Sequence, residues 1–449
     1  MMWVLQLTCK SARDAGRSGR RRAPPSAPAS PLTLVPHSRT LPAMAAQEAP
    51  QAPVSGPAAF TPCAGEGWRA PWDMYAALRD RDPLHHVDDG DYWVLSRYAD
   101  VLAAARDTER FSSAGGLTFT YGERERLGIT DAAPMVMLDP PEHTDFRRLI
   151  TRGYTPRRVA AIEPDVRAFV RDRLDRIAGL GAGCDIVAEL FKPLPSFVVG
   201  RYLGVPEADR GRFDGWTHAI VEANALGDPL AAVEAVGGLF GYFTELVARR
   251  RAEPADDTVS DLVRLLPDDD TALLRILGFA FTMVAGGNDT TTGLLGGAAE
   301  LLTADPDRRR ALLDSPARLP AAVEELLRLT SPVQCLARTV TADTTLHGRT
   351  VPAGRKVLLL YGAANRDPRA FGPDADRLDL TRDGPQHLAF THGPHHCLGA
   401  AAARLVARVA LAELLARFPD FAVDAAGGTF ADGHYVRRYA TLPFVTGRG

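Results

Sequence analysis

The chain has 449 residues, 46% hydrophobic and 24% charged, with a formal net charge of -3. That composition supplies a large apolar core and excludes general disorder, and the near-neutral charge gives no reason to expect nucleic acid or an anionic membrane as partner. The five cysteines (Cys9, Cys63, Cys184, Cys335 and Cys397) are odd in number and include no pair at zinc-ligand or redox spacing, a reduced, cytoplasmic pattern.

Residues 1–43 are rich in Pro, Ser, Ala and Arg, include Arg20-Arg21-Arg22, and lack a sustained apolar period. This composition predicts disorder. The apolar start is too short for a signal peptide and precedes the basic residues instead of following them. An over-extended gene start, with Met44 as initiator, accounts for the segment; an organellar transit peptide is the alternative. Residues 44–67 read as a flexible lead-in, and 68–449 as one domain.

The body reads as helix-rich with small sheets. A short helix is expected over 71–81, and strands over 83–87 and 92–97 around the acidic turn Asp88-Asp89-Gly90-Asp91. Apolar residues three and four apart predict helices over 157–177, 208–224 and 231–251. Strands are expected over 338–346 and 356–360, and an alanine-rich helix over 400–418. No repeat at solenoid period is present.

The most telling helix is expected over 271–302, capped by Asp270 and stopped before Asp305-Pro306. Residues 276–288 carry no charge, but this run is shorter than the ~18 residues of a membrane span, so a buried central helix is expected. Gly286-Gly287-Asn288-Asp289-Thr290 then places two glycines and an acid mid-helix, at a cost of about 1 kcal/mol per glycine relative to alanine. A kink with a satisfied polar cluster is one explanation. The other is a widened groove in which a hydroxyl beside a carboxylate holds water and passes protons.

Near the C-terminus, Phe390, Gly393, His395, Cys397 and Gly399 form the pattern Phe-x-x-Gly-x-His-x-Cys-x-Gly ahead of the expected helix 400–418. A helix start favours a thiolate, and small glycines leave room for a flat ligand at the sulfur. The pattern resembles the haem-binding loop of the cytochromes P450, in which the cysteine thiolate is the axial ligand to haem iron and promotes O–O cleavage. It departs from the family at Thr391, where glycine is usual.

The resemblance runs from about Trp68 to Val445 and is closest to actinobacterial cytochrome P450 family 130, through stretches such as Met135-Val136-Met137-Leu138-Asp139-Pro140-Pro141. It implies a mainly α fold with small β-sheets, a triangular prism built around the long helix. It implies that Cys397 ligates iron, that Asp289 and Thr290 deliver protons, and that Gly286, Phe390 and Gly399 border the haem. His143, Arg147, Arg338 and His395 are implied to hold the propionates. Glu325 and Arg328, with Arg377, are implied to form a buried ion network. Leu117, Phe119, Val284, Gly287, Val333, Leu336 and Tyr435 are implied to line the substrate pocket.

Function follows from the same resemblance: a soluble, cytoplasmic monooxygenase with haem b and O2, inserting one oxygen atom into a small, largely apolar substrate by hydroxylation or oxidative demethylation. No flavin-binding or ferredoxin-like stretch is present, so a separate ferredoxin and ferredoxin reductase are expected to bring electrons from NAD(P)H. Arg147, Arg148, Arg152, Arg157, Arg158, Arg404 and Arg408 are candidates for a basic docking face. No nucleic acid or membrane span is expected, and the chain is expected as a monomer or weak dimer. The alternative is a haem-thiolate protein that binds haem or senses gas without turnover.

Overall fold

One capping aspartate and one proline set the limits of the longest element. The Asp269 carboxylate accepts from Ala272 N at 2.8 Å and opens the helix Asp270–Ala304; Asp305 leaves helical geometry and Pro306 opens the next helix, Pro306–Asp314. The cap therefore lies one residue before the expected Asp270. At 35 residues the helix is about 52 Å long. This computed structural model describes residues 58–127, 133–181, 183–226 and 232–447; the extension expected to be disordered, 1–43, lies outside them.

The central helix is long and apolar enough to cross a membrane by composition. It is instead packed as a core element by helices Pro193–Leu203, Leu319–Thr330 and Ala400–Arg417. Small residues bring these neighbours close. A Cβ at Gly293 would lie 2.5 Å from the Arg437 carbonyl, and one at Gly297 would lie 2.6 Å from Thr330 Cγ2.

The expected strand pair appears as Leu84–Val87 and Tyr92–Leu95, antiparallel. Lys356–Leu359 joins in parallel, followed by antiparallel Leu336–Val340 and Phe111–Ser112, to complete a five-stranded sheet. Residues 58–67, expected as flexible lead-in, are tied to the body: Phe60 is buried edge-on to Tyr92, and Gly65 N donates to the Ala431 carbonyl.

Most expected helices form within one or two residues of their predicted limits, among them Trp72–Arg81, Arg210–Leu226 and Val233–Ala252. Two elements differ. The helix expected over 157–177 is broken into Pro156–Ala161 and Glu163–Gly179, because Pro164 has no N–H to continue the first helix and instead opens the second. The strand expected over 338–346 is two strands, Leu336–Val340 and Thr344–Leu346, separated by a turn at Thr341, Ala342 and Asp343. Asp343 uses its carboxylate to accept from Ala353 N at 2.9 Å, closing the base of the hairpin Thr344–Val351 that the second strand forms.

Helix Leu319–Thr330 carries the ion network. Arg328 makes two bonds of 2.7 Å to Glu325, and all but a few per cent of both side chains is buried. The third guanidinium is Arg382, whose Nε lies 3.0 Å from Glu325 Oε1, and not the expected Arg377. Arg377 is exposed and contributes only its backbone carbonyl, to Arg328 and Arg382. The fork of Arg382 reaches back five residues to place its nitrogens where Arg377 was expected to put its own.

Arg382→Met leaves Glu325 paired with Arg328 but removes its second guanidinium and the bonds to Asp374 and to the Phe371 carbonyl, so it is expected to cost about 1.5–3 kcal/mol in denaturant unfolding. Arg377→Met is expected to stay within about 0.5 kcal/mol. Equal losses for the two variants would contradict this assignment.

Candidate active site

The cysteine loop is closed at both ends. Cys397 N donates to the Phe390 carbonyl at 3.0 Å, and Gly399 forms the N-cap of helix Ala400–Arg417. Gly393 has φ 71°, and a Cβ there would lie 2.8 Å from the Ala105 carbonyl, so the loop packs too closely for a side chain. Cys397 opens onto an internal cavity that also receives Phe390, Thr391, His395 and Gly399. Although Cys397 is open to the cavity, the protein mass around it desolvates its thiol and pushes it up; the backbone N–H groups of Gly399 and Ala400 and the charges of Arg147 and Arg404 oppose this. The helix start thus acts in the expected direction without overcoming desolvation.

The walls of this cavity are chiefly apolar. The central helix supplies Met283, Gly286, Gly287, Thr290, Thr291 and Leu294; Pro332 and Val333 come from the segment before the strand Leu336–Val340 and Leu336 from its start; Ala402, Ala403 and Val406 come from the cysteine's helix. A Cβ at Gly286 would meet nothing within 4 Å, so the helix leaves space beside Thr290. Gly286, Gly287, Val333 and Leu336 therefore lie where expected.

Four expected pocket residues do not. Val284 is fully buried in the core, and its carbonyl accepts from Asn288 Nδ2. Leu117 contributes a carbonyl to Ala337 N at 2.7 Å. Phe119 stacks on Tyr92 with centroids 5.0 Å apart, and Tyr435 accepts from Phe119 N at 3.3 Å, so both belong to the packing beside the sheet. Val136, Tyr154, Pro195, Val198, Val199 and Tyr202 line the cavity instead. Pro195, Val198, Val199 and Tyr202 form one face of helix Pro193–Leu203, a spacing of three and four legible in the sequence, whereas Val136 and Tyr154 join them only through tertiary packing. The stacked rings of Tyr154 and Tyr202, 5.1 Å apart, are an example.

Basic groups gather near the loop. The rings of His143 and His395 lie 4.2 Å apart, and His395 Nε2 is 3.1 Å from Ser113 Oγ. Arg147 donates to the His396 carbonyl at 2.6 Å, and buried Arg338 donates to the Ala337 carbonyl at 2.8 Å. His143 is 1% exposed, and neither ring nitrogen has a hydrogen-bond partner. Among the described residues no carboxylate pairs with any of these four. Burial, then Arg338, His143 and Arg147, push His395 down to about 3; burial and then Arg147 lower His143. Such a cluster favours a ligand that brings negative charge.

Across Gly286–Thr290 the helix stays α-helical, without the expected widening. The Thr290 hydroxyl lines the cavity and donates to the Gly286 carbonyl at 2.9 Å. Asp289 points away from it into the protein, where Oδ1 lies 2.5 Å from Arg438 Nε and both side chains are buried. Burial raises the Asp289 carboxyl to about 6, against the opposing charges of Arg438 and Lys192. Arg438 sits in the C-terminal segment, far from Asp289 in sequence, and no local pattern marks it.

The expected basic face is largely neutralised. Arg404 bonds Glu324 at 2.6 and 2.8 Å, Arg408 bonds Glu163 at 2.6 Å, Arg148 pairs with Asp145, and Arg158 pairs with Asp256 and Asp261. Arg147 is turned to the His396 carbonyl. Arg152 and Arg157 are exposed, with no carboxylate partner among the described residues.

The family description "Cytochrome P450" matches residues 317–423. The chain is 59% identical over 394 residues to Cytochrome P450 130 of Mycobacterium tuberculosis, covering 86% of this chain and 97% of that relative. The chain belongs to the cytochrome P450 family. This P450 is also 38% identical over 366 residues to the vitamin D(3) 25-hydroxylase of Pseudonocardia autotrophica, covering 80% of the chain and 89% of the relative. Among solved structures, a Mycobacterium marinum cytochrome P450 in complex with pseudoionone matches with a TM-score of 0.76 and 31% identity, over 84% of this chain and 96% of that one. The P450 is thus a bacterial monooxygenase of the haem- and O2-using family.

The residues present fit a haem. A flat apolar ring with two carboxylates matches apolar walls beside an uncompensated basic cluster, the unpartnered nitrogens of His143, and a cysteine facing the cavity. Cys397 would be the axial ligand, and His143, Arg147, Arg338 and His395 are the groups available to the propionates.

Two outcomes follow. Arg338→Met removes a charge-assisted bond of about 1.5–3 kcal/mol, so haem transfer to excess apomyoglobin is expected to accelerate roughly ten- to a hundredfold; an unchanged rate would remove Arg338 from the cluster's role. Because Asp289 titrates higher in the folded protein than its ordinary 3.8, the native state binds the extra proton between pH about 4 and 6. Its contribution to stability is therefore present at low pH and lost as pH rises through about 6. Unfolding measured across that window for the parent and for Asp289→Asn should show this slope only in the parent.

Proposed function

We propose that this P450 hydroxylates or oxidatively demethylates a small, neutral, largely apolar molecule, using electrons from a separate ferredoxin and ferredoxin reductase that draw on NAD(P)H. The single observation that carries the reading is that the Thr290 hydroxyl and Cys397 line one apolar cavity. When bound, haem supplies the reductive activation of dioxygen and the transfer of one oxygen atom to the substrate.

The chain's own residues then divide the work. Cys397 would hold the haem iron and, as thiolate, would donate electron density to it. Thr290 presents a hydroxyl on the cavity wall, where it can hold a water and hand a proton inward. Asp289, one residue away but turned from the cavity, is a proton source behind Thr290, with an affinity near neutrality at about 6 that suits uptake and release. Arg438 holds its carboxylate in place.

Val333, Leu336, Pro332 and Val136 exclude water and give the substrate apolar contacts. No Asp, Glu, Lys or Arg side chain lines the cavity among the described residues, which favours an uncharged substrate. The 25-hydroxylase relative named for vitamin D(3), and the relative solved with pseudoionone, are consistent with such a class. For the redox partner, Arg152 and Arg157 are the unneutralised charges of the expected docking face.

The intact Asp289–Thr290 pair favours turnover over a binding or sensing role. The test is reconstitution with a ferredoxin system and a panel of neutral lipids, terpenes and aromatic compounds, with product and peroxide both measured. Thr290→Ala is expected to keep haem and substrate binding while product per electron falls several-fold and peroxide rises. Unchanged stoichiometry would remove Thr290 from proton delivery, and rapid reduction without product across the panel would favour the binding reading.

A further inference from the structure

Among the described residues, four that are not glycine take positive φ: Asp91, Ser331, His347 and Thr391. Thr391, at φ 51°, is the one β-branched member, for which the left-handed region is most costly. It occupies the point of the cysteine loop where the family usually has glycine. The turn does not need the side chain: Thr391 N donates to the Leu388 carbonyl at 2.9 Å, a bond glycine would also make.

What threonine adds is a hydroxyl. Thr391 Oγ1 accepts from the Tyr361 hydroxyl at 3.3 Å, and both residues line the cavity onto which Cys397 opens. Tyr361 is a fixed point. It is 2% exposed and opens the short helix Tyr361–Ala364, whose entry is held by Leu360 N on the Leu95 carbonyl at 2.9 Å and Gly362 N on the Gln334 carbonyl at 3.0 Å. On the other side, Phe390, directly before Thr391, accepts the N–H of Cys397. A continuous path therefore runs from the five-stranded sheet through Tyr361, Thr391 and Phe390 to the cysteine.

We propose that Tyr361 and Thr391 form a positioning strap for the iron-ligating cysteine, in which the tyrosine hydroxyl holds a strained threonine and so fixes the loop that carries Cys397 to the sheet. The inference rests on the reading of Cys397 as axial ligand. Neither residue touches the sulfur; both act on it through the backbone at Phe390. A strain retained beside a functional group, with a specific bond that holds it, is a device for pre-organisation. Its consequence is slow haem loss and a defined iron potential.

The test uses the holoenzyme and measures haem transfer to apomyoglobin, the reduction potential, and the carbonyl spectrum of the reduced protein. Tyr361→Phe and Thr391→Val each remove the bond and are expected to lose haem about fivefold faster, with a shifted potential. Thr391→Ser restores the hydroxyl and should match the parent, and the double variant Tyr361→Phe, Thr391→Val should be no worse than either single one. A Thr391→Ser variant that behaves like Thr391→Val, additive losses in the double variant, or variants indistinguishable from the parent would each overturn the strap. If Thr391→Val does not accumulate as holoprotein, Tyr361→Phe and Thr391→Ser decide by the same readouts. A parent without a thiolate-type carbonyl spectrum would remove the cysteine reading itself; a parent with it and unchanged variants would remove only the strap.

Discussion

A thiolate inside a protein is stable only beside positive charge, and the architecture around Cys397 turns on that constraint. Desolvation by the surrounding protein drives its thiol toward the neutral form, and two backbone N–H groups with the charges of Arg147 and Arg404 oppose this without reversing it. A bound iron supplies what they lack, since a coordinating thiol is deprotonated outright. The same ligand answers a second imbalance, the cluster of His143, Arg147, Arg338 and His395, none of which forms an ion pair with a carboxylate among the described residues. Thiol and basic cluster are each unfavourable alone and are complementary to one molecule with a cation at its centre and two anions at its edge.

The central helix meets the opposite requirement. It carries an acid through the core, and the fold places Arg438 2.5 Å from that acid. The pairing leaves Thr290 facing the cavity with its neighbour turned inward, so the hydroxyl on the cavity wall and the buried carboxyl lie on different faces of one helix. Close-packed glycines at 293 and 297 let Arg437 and Thr330 approach this helix, and Arg438 arrives on the same segment as Arg437. Packing of the helix and delivery of its counter-ion are therefore one arrangement.

What could be read from the sequence was what is written locally. The cysteine loop, the Asp289–Thr290 pair, and His143 and Arg147 one helical turn apart have fixed short spacings, and the structure brings Thr290 and the loop, with His395, to one cavity and packs His143 and Arg147 against that loop. Helix limits were legible where a cap or proline marks them, as at Asp305-Pro306, and missed where Pro164 restarts a helix inside an unbroken apolar period. Contacts decided by tertiary packing left no such mark. Arg382 rather than Arg377 reaches Glu325, Phe119 and Tyr435 pack beside the sheet rather than in the cavity, and Tyr154 lines it although its own surroundings in sequence look like ordinary core. The neutralisation of Arg404, Arg408 and Arg158 was hidden for a related reason, because their partner acids Glu324, Glu163, Asp256 and Asp261 lie on other segments of the chain.

The most direct test is the absorption spectrum of the reduced holoprotein with carbon monoxide, recorded beside Cys397→Ser. A strongly red-shifted carbonyl band in the parent that is lost in the variant is the predicted result. A band like that of a histidine-ligated globin in the parent, or a red-shifted band that survives in Cys397→Ser, would contradict the account.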